Sequence, residues 1–110
     1  RSLPLRILAP SRTLAANDAA FTPELLRAEA TKVWQLQQAG RIREIYFTAA
    51  GEAVLILECR GAAEARRVLA GLPLVRAKLI EFSVDELRAY NGFARLFAPK
   101  TPRPASRPRA

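Results

Sequence analysis

The arrangement of this chain is decided by the stretch Gly71–Phe82, GLPLVRAKLIEF. A helical pattern stops at Gly71, and Pro73 follows two residues later, where it prevents the helix from continuing. From Lys78 to Asp85, apolar and polar side chains alternate with the period of two that is typical of a strand. We therefore expect a helix before this joint and a strand after it, with Pro73 as the helix stop that redirects the chain into a sheet.

The joint carries more apolar side chains than one packed face requires. Alternation places Ile80, Phe82 and Val84 on one face of the predicted strand. The leucines that remain are assigned to the joint and to contacts between subunits, namely Leu72, Leu74 and Leu79.

Three further strands are predicted on the N-terminal side of the joint. The first covers Leu3–Ala9 and ends at Pro10, because proline cannot donate a hydrogen bond to a neighbouring strand. The polar residues from 10 to 21 are expected to form a loop. The runs Arg41–Ala49 and Glu52–Arg60 flank a short turn around Gly51, which favours a β-hairpin.

Two helices separate these strands. The first has Thr22 as N-cap and Pro23 at its first position, and it ends at Gly40 as a left-handed C-terminal cap. The second covers Ala62–Ala70. Helical spacing assigns one buried stripe of the first helix to Leu26, Ala30, Val33 and Gln37, with Leu25, Glu29 and Leu36 on its flank.

The resulting order is strand, helix, strand, strand, helix, strand. This is the ferredoxin-like βαββαβ arrangement of an α+β protein, with a four-stranded antiparallel sheet. Two helices cover one face of such a sheet, yet the second hairpin strand is apolar on both faces. A second copy, packed face to face as in a dimeric α+β barrel, is the simplest cover for the other face.

Composition divides the chain into a domain over residues 1–98 and a basic, proline-rich tail over 99–110. The net charge of +8 belongs to the chain ends, since residues 13–98 hold eleven Lys or Arg against ten Asp or Glu. The tail composition predicts a disordered or polyproline-like segment, which gives at most weak, salt-sensitive attraction to nucleic acid or an acidic partner. No run is long enough for a membrane span, and we expect a cytoplasmic protein without membrane contact.

Several classes of catalytic site are excluded by residue type. The chain has no histidine and one cysteine, Cys59, so imidazole-based catalysis, His-rich metal sites and thiolate metal cages are not available. We therefore predict no histidine-based or thiolate-based metal site. Cys59 lies in a strand-like run and is expected to be a buried, inert thiol.

Taken together, these segments resemble the muconolactone isomerase-like proteins of the dimeric α+β barrel superfamily. The similarity covers Phe21 to Phe97 and rests on FTPELLRAEATKVWQLQQAG, the hairpin RIREIYFTAAGEAVLILEC, the joint GLPLVRAKLIEF and the terminal YNGFARLF. The resemblance implies a ferredoxin-like protomer that forms homodimers, which can assemble further. It also implies an isomerase that acts on a small unsaturated lactone without metal or organic cofactor.

The hairpin offers the candidate catalytic pair. A register with Thr48 opposite Ala53 places Arg43 opposite Glu58, on the face that also carries Ile45 and Phe47 and the apolar residues of the second strand. A base and a cation beside an apolar patch could bind a carboxylate ligand and move a proton. The alternative is a cross-strand salt bridge at the sheet margin.

Four more residues are candidates for substrate binding. Glu29 lies on the flank of the helical stripe, Tyr46 on the other hairpin face, Glu81 on the last strand, and Trp34 on the first helix. Each has a structural alternative, which is packing for Trp34 and a solvated or locally paired side chain for the others.

The sequence supports two functions above the others. One is a cofactor-independent isomerase, or a protein that binds a small unsaturated lactone or a related acid. The other is a non-catalytic dimeric binding or assembly module of the same fold, with the basic tail as a docking segment. The aromatic segment Tyr90–Phe97 is expected to pack on a partner subunit or to cap the barrel.

Overall fold

A computed structural model of the chain describes residues 4–97. The predicted tail over 99–110 lies outside the described residues. The strands are β1 (Leu5–Thr13), β2 (Ile42–Phe47), β3 (Ala53–Cys59), β4 (Ile80–Phe82) and β5 (Asp85–Leu87). The helices are α1 (Pro23–Gln38), α2 (Ala62–Ala70) and α3 (Pro73–Arg76), with short 3-10 turns at Asp18–Ala20 and Gly92–Leu96.

The strands form one antiparallel sheet in the order β2-β3-β1-β4, in which β5 also pairs with β1. This α+β arrangement is compatible with the predicted ferredoxin-like fold. Within residues 4–97, the sheet has five strands rather than the predicted four, and α3 is an additional helix. None of the helices in this part of the chain has the length and apolar character needed to cross a membrane.

Strand β1 does not end at Pro10 but continues to Thr13, which corrects the prediction. Ser11 pairs with Phe82 of β4 after Pro10, and Leu8 pairs with Asp85 of β5 before it. The two pairings have the same register, as if β4 and β5 were one strand beside β1. The Ser83 amide donates to the Pro10 carbonyl at 3.0 Å, but proline has no N–H to return. The missing bond explains why the single predicted last strand is divided into β4 and β5.

Helix α1 begins and ends as predicted. The Thr22 hydroxyl accepts from the Leu25 amide at 3.2 Å, and Gly40 has a φ of 81°. The amides of Gly40 and Arg41 donate back to the last helical turn, which completes a Schellman cap. The buried stripe is rotated from the prediction, since the half-buried side chains of α1 are Leu25, Glu29, Lys32, Val33 and Leu36.

The joint after α2 is also different from the prediction. Pro73 begins the one-turn helix α3 instead of leading directly into a strand, as its ring suits a first helical position. Leu72 is 0% exposed and belongs to the core of this chain, and Leu74 is buried beside it. These two leucines therefore do not supply subunit contacts, because α3 folds them inward.

The hairpin register is shifted by one residue from the prediction. Thr48 and Glu52 close a three-residue loop in which Gly51 has a φ of 86°, so Phe47 lies opposite Ala53 and Ile45 lies opposite Leu55. This loop type requires a left-handed residue at its third position, which glycine adopts without strain. The shift moves Ile45 and Phe47 to the helix-covered face and leaves Arg43 and Glu58 on the opposite face.

Most of the core lies between the helices and one face of the sheet. Its members are Ile7, Ala9, Ile42, Leu55, Leu57, Cys59, Ala65, Leu69 and Leu72. Cys59 is buried, as predicted, and burial raises the pKa of its thiol. The opposite face, called the outer face below, carries Leu8, Val54 and Ile56 as half-buried side chains among charged ones.

Candidate functional site

A cavity of about 450 Å³ lies between α1 and the helix-covered face of the sheet, at the end where the β2–β3 hairpin turns. Small side chains on the facing elements, at Ser11, Ala30 and Ala53, leave this space open. Phe47 is largely exposed and Leu26 is partly exposed, and both form part of its mouth. The remaining lining residues are Thr13, Phe21, Glu29, Val33, Ile45, Gly51, Leu55, Leu74, Ile80 and Phe82.

Glu29 is the one lining side chain that can carry a charge among the described residues. The Leu74 amide of α3 donates to Glu29 Oε1 at 2.9 Å, which holds the carboxyl at the cavity wall. Burial raises the pKa of Glu29 above its usual value, and the hydrogen bond from Leu74 opposes part of that rise. A partly desolvated carboxyl in an apolar cavity is a group that can take up and return a proton.

Two hydroxyl groups lie on the sheet side of the same cavity. Ser11 is 7% exposed, and its Oγ accepts from the Ala53 amide at 2.8 Å. Because this bond uses an acceptor site, the Ser11 hydroxyl keeps its own proton for donation to a ligand. Thr13, two residues later on β1, presents a second hydroxyl to the lining.

The predicted pair of Arg43 and Glu58 is present, although the predicted register is not. Arg43 Nε lies 3.6 Å from Glu58 Oε1, and Arg6 Nη1 approaches the same oxygen at 3.6 Å. A bulge between Ile42 and Glu44 turns Arg43 toward Glu58. The cluster lies on the outer face, so the sheet separates it from Glu29.

The other predicted site residues lie apart from the cavity. Tyr46 is on the outer face, and its hydroxyl donates to Glu44 at 2.7 Å, which raises the pKa of the phenol. Glu81 forms an ion pair with Arg12 across β1 and β4. Trp34 is 61% exposed on the solvent side of α1. Of the six candidates, the structure brings Arg43 and Glu58 together and places only Glu29 in the cavity.

Sequence reasoning misses Ser11 and Thr13 because Pro10 predicts a loop over the residues that follow it. The signal that could have found them is alternation: Ile7, Ala9, Ser11 and Thr13 continue the period of two through the proline. Pro10 costs this strand one hydrogen bond, which is too little to end the alternation.

Comparison with known proteins gives no assignment for this chain. No protein-family model matches it, and no curated protein matches it with significance. The resemblance to the muconolactone isomerase-like proteins therefore stays a prediction. The cavity and its residues are the features from which a function can be proposed.

Proposed function

We propose that this chain binds a small, mostly apolar molecule in the cavity and that Glu29 moves a proton on it, as a cofactor-independent isomerase of an unsaturated lactone. The observation that supports the proposal is the half-buried Glu29 carboxyl, held by the Leu74 amide in an otherwise apolar cavity. The cavity volume lies at the lower end of the roughly 300–1,000 Å³ typical of small-molecule sites.

The proposed reaction is a proton shift without net oxidation or reduction. In a lactone with a β,γ double bond, the Glu29 carboxylate takes a proton from the carbon next to the carbonyl. The electron pair spreads over the ring as a dienolate, and the carboxyl returns the proton at the γ carbon, which leaves the double bond conjugated with the carbonyl. The Ser11 and Thr13 hydroxyls are the donors that can stabilise the negative oxygen.

The test is conversion of a γ-methyl lactone with a β,γ double bond, followed by the rise in ultraviolet absorbance on conjugation. Glu29→Gln is expected to lose at least a hundredfold in rate, in line with removal of a general base. Glu24→Gln is the matched control, since Glu24 is exposed in the first turn of the same helix. Undiminished turnover in Glu29→Gln would refute the role of Glu29.

The same assay separates the cavity from the outer face. If Glu58→Gln or Arg43→Ala abolishes turnover while Glu29→Gln does not, the chemistry belongs to the pair predicted from the sequence. We expect both outer-face variants to retain activity, because each of these side chains is partly solvated and lies across the sheet from the cavity.

A non-catalytic dimeric module is the second candidate. It is supported by the exposed aromatic segment, in which Tyr90, Phe93, Leu96 and Phe97 are 65–84% exposed. Tyr90 and Phe93 pack edge to face at 4.9 Å without being covered by the rest of the described chain. This candidate requires self-association and predicts no proton exchange on any lactone.

A further inference from the structure

We infer that the cavity selects uncharged ring molecules and rejects carboxylates of the same size. The inference rests on the proposed function, since it concerns the same site, and it narrows the substrate class to neutral lactones. Three features support this selectivity: the charge of the cavity lining, the hydrogen-bond donors of the lining, and the position of the arginines on the neighbouring strands.

The lining of the cavity offers no positive charge. Its described side chains include Glu29 but no lysine and no arginine. A carboxylate placed there would lose water, gain no counter-ion and lie near a group that is itself negative when ionised. A neutral lactone avoids all three penalties.

The arginines of the neighbouring strands are engaged on the other side of the sheet. Arg12 lies between Ser11 and Thr13 along β1, but alternation directs it to the outer face, where it pairs with Glu81. Arg6 and Arg43 approach Glu58 on that same face. The sheet itself therefore keeps these cations away from the cavity.

Two backbone donors near the cavity are already used. The Leu74 amide donates to Glu29, and the Ala53 amide donates to Ser11. The hydroxyls of Ser11 and Thr13 remain as donors, which suits one carbonyl oxygen. A carboxylate generally requires several donors or a cation to replace its hydration.

The experiment compares two ligands that differ in charge but share the ring. One is the butenolide that carries a carbamoylmethyl group at the γ carbon, and the other is the same butenolide with a carboxymethyl group there, so the two have the same size and differ in charge. Titration calorimetry at pH 7 is expected to give the neutral ligand at least a tenfold lower Kd. Equal or tighter binding of the anion would overturn the inference, and so would the absence of binding by the neutral ligand.

A designed charge change provides an independent arm. Leu26 lies at the cavity mouth and is partly exposed, so Leu26→Arg can place a cation there without burying it. We expect Leu26→Arg to reduce the ratio of the anion's Kd to the neutral ligand's Kd at least threefold. Ala28→Arg, on the solvent side of α1, should leave this ratio unchanged. The same reduction in both variants would show that net charge, rather than the cavity, sets the preference, and would overturn the inference.

The two proposals fail in different ways. If the neutral ligand binds selectively but exchanges no carbon-bound proton in deuterated water, the catalytic proposal fails and the selectivity stands. If the anion is bound and turned over in preference, catalysis stands and the inferred selectivity fails.

Discussion

Glu29 shows how one residue acquires a chemical role from its surroundings. On the sequence it is one of two acidic residues of the first helix, and its helical position assigns it to the flank of the buried stripe. In the structure the Leu74 amide, from an element forty-five residues away, binds its carboxyl at the wall of an apolar cavity. Burial then raises the pKa of the carboxyl, which suits a group that exchanges protons.

The raised pKa of Glu29 predicts a pH-dependent effect of Glu29→Gln on stability. A raised pKa gives the fold a stabilising contribution that is present at acid pH and is lost as the pH rises through the folded-state value. Glu29→Gln has no such loss. The difference in free energy of unfolding between the variant and the wild type should therefore change in favour of the variant from acid to neutral pH. Since solvent still reaches the carboxyl, we expect a gain of less than about 1 kcal/mol.

Urea unfolding at several pH values measures this gain. Glu24→Gln is the control: its negative charge is favourable at the exposed start of α1, so its replacement should give no gain at neutral pH. A Glu29→Gln difference that stays constant over the whole pH range would contradict the prediction.

At the scale of elements, β1 shows that a proline can lie within a central strand. The cost is limited to one ladder bond, because the Pro10 carbonyl still accepts from Ser83 and the pairing with β3 runs on to Pro10. The strand can then present Ser11 and Thr13 to the cavity. Without the continuation of β1 past Pro10, the cavity would have no hydroxyl donors on its sheet side.

We predict that Pro10→Ala restores the missing bond between β1 and the last strand. The new amide at position 10 should donate to the Ser83 carbonyl and show slow hydrogen exchange. The net stability should change by less than about 1 kcal/mol, because the gain of one hydrogen bond is offset by a more flexible unfolded chain. Pro4→Ala, before β1, supplies an amide that should exchange quickly, and equal exchange rates at both positions would contradict this account.

Helix α3 places Leu72 and Leu74 in the core, although the sequence assigns them to the joint and to subunit contacts. We expect Leu72→Ala to lower the free energy of unfolding by about 2–5 kcal/mol, as for other fully buried leucines. Leu26→Ala is the matched control and should cost less than about 1 kcal/mol, because Leu26 is 45% exposed. Denaturant unfolding at two protein concentrations measures both, and a Leu72→Ala loss that depends strongly on concentration would place Leu72 at a subunit contact instead.

At the scale of the whole molecule, the joint Gly71–Phe82 does not support a dimer as the sequence suggests, and other surfaces do. Leu72 and Leu74 are accounted for within one chain. Among the apolar residues that lack full cover are those of the outer face and of the segment Tyr90–Phe97. Both are surfaces that a second copy could bury, and the dimer remains a proposal that these surfaces support.

We predict that the chain self-associates through the outer face and that Ile56→Glu weakens this association. A buried carboxylate without a partner is costly, so the sedimentation profile should shift toward the monomer with unchanged circular dichroism. Ala28→Glu adds the same charge on the solvent side of α1 and should not change the profile. Identical, concentration-independent profiles for the wild type and both variants would exclude an outer-face dimer.

The sequence by itself determined the features that depend on neighbours along the chain. The Thr22 and Gly40 caps and the end of α2 are set by a few consecutive residues, so local chemistry predicts them. The order of the main elements could also be predicted, whereas the Arg43–Glu58 pair, expected from a different register, forms because the bulge between Ile42 and Glu44 turns Arg43 toward Glu58.

Only the tertiary structure decided the features that join distant segments. The pairing of β1 with its neighbouring strands continues β1 past Pro10, and α3 brings the Leu74 amide to Glu29. Each outcome depends on competition between non-local contacts, and neighbouring residues do not encode it. The physical reason is that a side chain acquires its burial, its partners and its pKa from the segments packed against it.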